Sequence, residues 1–135
     1  MITSKVVYEG DLRTTATHLH SGNSIITDAP LDNQGRAEAF SPTDLVATAL
    51  ASCMLTIMGI AARTHQLKIE GTTVEVTKVM ASNPRRISEI HCMMRIPASN
   101  LDAKQKQILE IAAKTCPVIQ SLSSDMLKNI QFEYV

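Results

Sequence analysis

The chain contains no tryptophan and only two tyrosines and two phenylalanines, so it has few rings on which nucleic-acid bases could stack. It also lacks a net charge, because thirteen basic residues balance thirteen acidic ones. No basic field is therefore available to hold a polyanion, and we expect no nucleic acid among the partners. A length of 135 residues is typical of one domain, and we predict a single domain over residues 1–135.

The three cysteines follow no CxxC spacing and no Cys/His zinc pattern. Cys53, Cys92 and Cys116 are odd in number, so they cannot all pair within the chain, and we interpret them as reduced thiols in a reducing compartment. The first residues also lack the basic flank and apolar segment of a secretory signal. These absences predict a cytoplasmic protein without a metal site.

One long uncharged run, residues 45–62, reaches the lower length limit of a membrane span. The run is rich in alanine, glycine, serine and threonine, whereas membrane insertion depends mainly on leucine, isoleucine, phenylalanine and valine. We therefore favour a helix buried inside a soluble fold over a membrane span, and we expect no membrane partner.

Hydrophobic periodicity and turn residues predict an α+β domain. The predicted order is a three-stranded meander, a loop over 29–40, a long central helix over 42–66, two strands, a broken helix and a final strand. In the second half, Ile90, Cys92, Met94 and Ile96 alternate with polar residues and predict one buried strand face. Asn100 is the predicted cap of a helix whose apolar face carries Leu101, Ile108 and Ala112, and Pro117 ends that helix.

The central helix has a clear predicted start. Ser41 offers an N-cap, Pro42 suits the first helical position, and Asp44 can complete a capping box. The helix is apolar on nearly every side, so we expect other elements to enclose it.

Cys53 lies in the middle of this apolar helix. A free cysteine is most often a small buried hydrophobe, whereas a reactive one needs a cation, a hydrogen bond or a helix N-terminus beside it. Cys53 is twelve residues from Ser41, about 18 Å along the axis, and the field of the helix dipole fades within the first turn. A reactive Cys53 therefore requires a polar partner from another segment or another chain.

The other two thiols have different surroundings. Cys116 precedes Pro117 and is predicted to be the N-cap of a short helix, where free amide hydrogens would lower its pKa; the alternative is an ordinary core residue. Cys92 falls on the buried strand face, which favours a structural role. If Cys53 and Cys116 meet, one thiol can reduce a peroxide and the other can resolve the sulfenic acid into a disulfide.

The stretches SPTDLVATALASC and KTCPVIQSL resemble the paired motifs of the OsmC/Ohr family of thiol peroxidases, and the similarity extends over nearly the whole chain. The resemblance implies an intertwined homodimer with active sites at the subunit interface. It implies that Cys53 is the peroxidatic nucleophile and Cys116 the resolving thiol, acting on small organic hydroperoxides. No cofactor is implied, and an external dithiol or a lipoylated protein would recycle the disulfide.

Two departures indicate a divergent branch of that family. Thr43 stands where the family's peroxidases usually have a glutamate, and the nearest acid is Asp44. The arginine expected to hold the thiolate is not clearly matched, because His20 and Asn33 stand near its usual alignment positions. Arg36 is our preferred substitute, although a solvated loop arginine is the alternative, and His20 is also consistent with an ordinary turn histidine.

Two other functions remain open at this level. A long buried helix packed on a sheet also occurs in hot-dog thioesterases, where an acid near the helix start, here Asp44, could activate water. The chain could also be a dimeric redox-sensing module that forms a disulfide between Cys53 and Cys116 without sustained turnover.

Overall fold

Residues Met1–Val46 form one compact unit of the chain, in a computed structural model that describes residues 1–135. Its sheet is antiparallel, in the order β1-β2-β3, and consists of β1 (Ser4–Gly10), β2 (Arg13–His18) and β3 (Ser24–Asp28). The predicted meander is therefore confirmed. At the tip between β2 and β3, Gly22 adopts a positive φ of 77° and its N–H donates to the His18 carbonyl.

The loop after β3 is shaped by a short 3-10 turn over Leu31–Asn33. Gly35 is indispensable to its path, because a Cβ at this position would lie 1.7 Å from the carbonyl oxygen of Ala29. No side chain can be accommodated at that distance, so residue 35 requires a glycine unless the loop moves. The loop leads directly into α1 (Pro42–Thr64), close to the bounds that the sequence predicts.

Residues Ala47–Val135 form the second compact unit. Its elements after α1 are β4 (Thr73–Ala81), β5 (Arg86–Ile96), α2 (Ala103–Lys114), α3 (Pro117–Ser121) and β6 (Leu127–Tyr134). β5 is the central strand of a three-stranded sheet, antiparallel to β4 and parallel to β6. The parallel pair needs a crossover connection, which α2 and α3 supply. The element order agrees with the predicted α+β arrangement; that residues 1–135 make one domain stays a prediction.

The core of the second unit lies on the predicted face of β5. Ile90, Cys92, Met94 and Ile96 are all buried, and their alternation with more exposed residues confirms the period-two pattern. They pack in one cluster with residues of α1 and α2 and the junction after α2: Ala47, Leu50, Met54, Met58, Ala62, Leu109, Ala113 and Cys116.

The sequence-based description of α2 is wrong in two details. The helix is capped by Asp102, whose carboxylate accepts from the Gln105 N–H at 2.8 Å, and not by Asn100. The Gln105 side chain accepts from the Asp102 N–H in return, so two free backbone donors are satisfied reciprocally. The fully buried positions are Leu109 and Ala113, whereas Ile108 and Ala112 are only half-buried.

The long helix α1 has the length and hydropathy of a membrane span, a test that the core helix of a soluble protein also passes. Six of its residues are buried, among them Leu50, Met54 and Met58 in the core of the second unit. Val46 and Ile60, on other faces of the helix, remain exposed in the single chain. One side of α1 therefore belongs to the core, and apolar surface is left on another.

Candidate functional site

The start of α1 is built by a reciprocal capping box. The Ser41 Oγ accepts from the Asp44 N–H at 3.1 Å, and the Asp44 carboxylate accepts from the Ser41 N–H at 3.0 Å. The Thr43 hydroxyl lies 3.3 Å from the Ser41 hydroxyl. The predicted helix start is confirmed, and the Asp44 carboxylate is engaged in it. Supporting roles of Thr43 and Asp44 in chemistry stay predictions.

Cys53 lies three turns into α1 and is half-buried, packed against the core cluster of the second unit. Its position on the helix leaves part of the thiol open to small molecules. Cys116 is fully buried, at the junction of α2 and α3. Both thiols are free. The difference in burial means that a reagent from solvent meets Cys53 first.

Cys116 is the N-cap of α3, as the sequence predicts. Its Sγ accepts from the Ile119 N–H at 3.4 Å. Both sequence interpretations of Cys116 apply, because it is a cap and also a core residue. Burial raises the pKa of Cys116 above its ordinary value and outweighs the lowering by the amide hydrogens of Ile119 and Val118. The neighbouring Cys53 thiol raises the pKa of Cys116 further.

Cys53 and Cys116 therefore lie near each other in the core of one chain, although 63 residues separate them in sequence. α1 supplies one thiol and the end of α2 supplies the other. A half-exposed thiol beside a buried one is an arrangement in which oxidation of the first can be followed by formation of a disulfide.

Cys92 is the third thiol of the same core. It lies on β5 and is 1 % exposed, as expected of a structural residue. Burial, together with the charge of Cys116, raises the pKa of Cys92 to about 11. Cys92 and Cys116 both belong to the buried core cluster, and Cys53 packs against it.

A cavity of about 530 Å³ lies along the second half of α1 and the loop that follows. Its lining combines apolar and charged side chains, including Leu55, Ile60, Leu67, Ile69, Arg63 and Glu70. Thr56 and Ile60, which also line it, stand three and seven residues after Cys53 and so share its face of the helix. An apolar molecule in this cavity would lie along the same stripe of α1 as Cys53.

Arg36 and His20 belong to the first unit. The Arg36 Nε lies 3.8 Å from the Glu38 carboxylate, and the side chain is 43 % exposed. His20 is exposed in the turn between β2 and β3, with its ring 6.3 Å from that of His18. Asn33 ends the 3-10 turn. The roles that the resemblance suggests for Arg36 and His20 stay predictions.

Sequence reasoning missed a charged cluster that organises the first unit. Arg13 donates to both oxygens of the buried Asp28 carboxylate at 2.7 Å, and its second nitrogen also reaches Glu38 at 3.0 Å. The Glu38 N–H donates to Asp28, so the loop is tied to the sheet. Arg13 holds the pKa of Asp28 below its ordinary value. Arg13 and Asp28 stand directly opposite in the β2–β3 register, a signal that the predicted meander already contained.

No group of three or more histidine, cysteine, aspartate or glutamate residues is arranged to hold a metal ion.

None of the curated proteins matches the chain. Among solved structures, a protein from Psychrobacter arcticus 273-4 is 57 % identical with a TM-score of 0.94, covering 98 % of this chain and 96 % of its own. That protein carries a provisional name as an osmotic stress induced and detoxification response protein.

More distant structures share the fold. An OsmC-like protein from Mycoplasma pneumoniae is 23 % identical with a TM-score of 0.81, covering 98 % of this chain and 95 % of its own. An organic hydroperoxide resistance protein OsmC from Legionella pneumophila is 14 % identical with a TM-score of 0.72, covering 99 % and 97 %. The family model for OsmC-like proteins matches residues 35–129, which include α1, the strands β4 and β5, and the thiols of Cys53 and Cys116. With that match, and with a relative of more than half identity, this chain belongs to the OsmC-like protein family.

Proposed function

We propose that the protein is a thiol-dependent peroxidase that reduces organic hydroperoxides. The observation that carries the proposal is that the half-exposed Cys53 packs against the core cluster that contains Cys116 and raises the pKa of that thiol. Family membership and the named hydroperoxide resistance of a structural neighbour agree with it.

The two thiols receive different roles because they differ in burial. Cys53 is half-exposed, so its thiolate can attack the outer oxygen of a hydroperoxide; the O–O bond breaks, an alcohol leaves, and Cys53 becomes a sulfenic acid. The buried Cys116 is shielded from peroxide and can attack the Cys53 sulfur, which releases water and forms the disulfide. The N–H of Ile119 would stabilise the attacking thiolate of Cys116.

The substrate proposed is apolar and small. The cavity along α1 is lined partly by aliphatic side chains, and burial of hydrocarbon there would favour an organic hydroperoxide over hydrogen peroxide. The reductant is an external dithiol or a lipoylated protein, and no cofactor is needed because the electrons come from thiols. We place this reaction in the cytoplasm, where thiols remain reduced.

A homodimer is part of the proposal. Large apolar side chains are exposed on β1 and β3, including Val6, Tyr8 and Ile26, and α1 adds Val46 and Ile60. Exposed large apolar side chains of this kind are typical of a protein–protein interface. A second copy of the chain would cover it and could also supply polar groups to Cys53.

The structure favours this function over a hydrolase that uses Asp44. The Asp44 carboxylate accepts the Ser41 N–H in the capping box, so its use as a base would cost the helix a cap.

The test is consumption of cumene hydroperoxide with dihydrolipoamide as reductant. Cys53→Ser should lower turnover roughly a hundredfold or more, because a serine hydroxyl cannot form the sulfenic acid. Cys116→Ser should allow one oxidation per chain and then form no intramolecular disulfide. Ser52→Ala, at the exposed neighbouring position, should behave like the unmodified protein.

The proposal fails if the reduced wild-type protein consumes no organic hydroperoxide. A single oxidation without sustained turnover would instead identify the redox-sensing module. Hydrolysis of an acyl thioester that is lost in Asp44→Ala but kept in Cys53→Ser would identify the thioesterase.

A further inference from the structure

Gly59 is the one glycine of the chain whose position the backbone does not explain. Gly10, Gly22 and Gly71 have positive φ angles, and Gly35 lies too close to a neighbouring carbonyl to carry a side chain. Gly59 has neither constraint: it lies inside α1, and a Cβ added there would meet no atom within 4 Å. In the interior of a helix only proline is less favourable than glycine. An alanine at residue 59 would therefore stabilise α1 without a steric conflict.

The open space above Gly59 is the cavity along the second half of α1. Six residues between Leu55 and Arg63 line this cavity from the helix, and Gly59 stands at the middle of that span. The loop that follows contributes the aliphatic side chains of Leu67 and Ile69. A side chain at residue 59 would occupy part of the volume of about 530 Å³, so the glycine keeps the cavity open.

The cavity continues the stripe of α1 that carries Cys53. Thr56 and Ile60 share the face of Cys53, and both line the cavity. Gly59 follows Cys53 by six residues, which is about 9 Å along the helix axis. A molecule that reacts at Cys53 can therefore reach the space above Gly59 only if it extends by about that length.

We propose that Gly59 is a specificity-determining residue, which keeps the cavity open for the extended alkyl tail of a hydroperoxide. The substrate is that of the proposed peroxidase, so this role rests on the proposed function. Each methylene group of the tail that leaves water for the aliphatic walls adds to binding. The missing side chain at residue 59 thus lowers the stability of the helix and gives the substrate room.

Alkylation of Cys53 tests this role without requiring peroxidase activity. Cys92 and Cys116 are buried, so maleimides added to the reduced, folded protein react at Cys53. N-Octylmaleimide should react at least about tenfold faster than N-ethylmaleimide, each rate being divided by that with glutathione, because burial of two methylene groups is worth about this factor. Gly59→Leu should reduce the ratio to below about threefold, and Gly59→Ala should give an intermediate value.

Control measurements separate the cavity from the stability of the fold. Gly59→Ala and Gly59→Leu should both raise the urea midpoint of unfolding, since alanine and leucine are better helix formers than glycine. Ala49→Leu, at an exposed position four residues before Cys53, adds a leucine side chain outside the cavity and should keep the wild-type ratio.

Three results would overturn the role of Gly59. The first is a wild-type maleimide ratio in Gly59→Leu, or an equal decrease in Ala49→Leu. The second is a lower urea midpoint in Gly59→Ala, because the space above the helix would then not be open. The third is a changed mass of Gly59→Leu in light scattering, because the space would then belong to a second copy of the chain.

A further measurement uses the proposed reaction itself. The ratio of kcat/KM for n-octyl hydroperoxide to that for tert-butyl hydroperoxide should fall about fivefold or more in Gly59→Leu, mainly through a higher KM for the octyl substrate. If the wild type consumes neither hydroperoxide, the proposed function fails, while the maleimide ratios still decide the role of Gly59. An unchanged kcat/KM ratio in an active Gly59→Leu contradicts that role.

Discussion

The thiol of Cys116 shows how two local effects compete at one residue. As the N-cap of α3 it receives the Ile119 N–H, which favours the thiolate, but it is also fully removed from water, which disfavours the thiolate more. The position of the cap follows from Pro117 in the sequence. The sign of the pKa change depends on burial, and burial is decided by residues that are distant along the chain.

Asp28 is a second residue whose charge state depends on tertiary contacts. Its pKa is lowered from 3.8, first by the hydrogen bonds from Arg13, so the ionised carboxylate stabilises the folded state at pH values above about 4. This contribution should be lost as the pH falls through the lowered folded-state pKa. Asp28→Asn should therefore be less stable than the wild type at pH 7 and should lose less stability on acidification.

The measurement is the midpoint of urea unfolding at several pH values between about 7 and 2. Asp11→Asn, at an exposed turn position, is the matched control and should follow the wild-type curve. Parallel curves for Asp28→Asn and the wild type would show that the ion pair with Arg13 does not contribute to the pH dependence.

At the scale of elements, the N-cap of α2 in the structure differs from the N-cap that the sequence suggests. Asn100 and Asp102 both precede an apolar helical pattern, and both are good N-cap residues. Only Asp102 has a glutamine three residues later that completes a capping box. The buried stripe of the helix is Leu109 and Ala113, which are four residues apart and share one face.

We expect Asp102→Ala to lower the free energy of unfolding by about 1 kcal/mol, since the free N–H of Gln105 loses its acceptor. Asn100→Ala should change it by less than about 0.5 kcal/mol, as is usual for surface substitutions. Chemical denaturation of the two variants, analysed with a common slope, gives both values. An equal or larger loss in Asn100→Ala would contradict the assignment of the cap.

At the scale of the whole molecule, exposed apolar surface is the main feature that a single chain leaves unexplained. The strand β1 alone exposes Val6, Val7 and Tyr8, so both of its faces carry uncovered apolar side chains. Natural soluble domains rarely leave such surface open to water. The surface agrees with the homodimer that we propose.

Light scattering coupled to size exclusion should accordingly give a mass of about twice the 14.7 kDa of one chain at micromolar concentration. Val6→Asp introduces a charge on the exposed surface of β1 and should shift the population towards the single chain, because burial of an unpaired carboxylate is costly. A wild-type mass of one chain at every concentration would contradict the dimer.

Local patterns were sufficient for most of the architecture. The alternation around Cys92, the capping box at Ser41 and the arrest of α2 before Pro117 all depend on residues a few positions apart, and each agrees with the structure. Side-chain periodicity and backbone donors act over one or two turns, so a sequence displays them directly. The Arg13–Asp28 ion pair could also have been predicted from the sequence, because the meander places the two residues opposite each other.

The sequence by itself determined the order of the elements, the start of α1 and the N-cap position of Cys116. Only the tertiary structure decided that Cys53 lies beside Cys116, that Cys92 belongs to the same core, and that burial raises the pKa of the two inner thiols. The physical reason is range: hydrogen-bonded turns are set by neighbouring residues, whereas desolvation and contact between sulfurs depend on how distant segments pack.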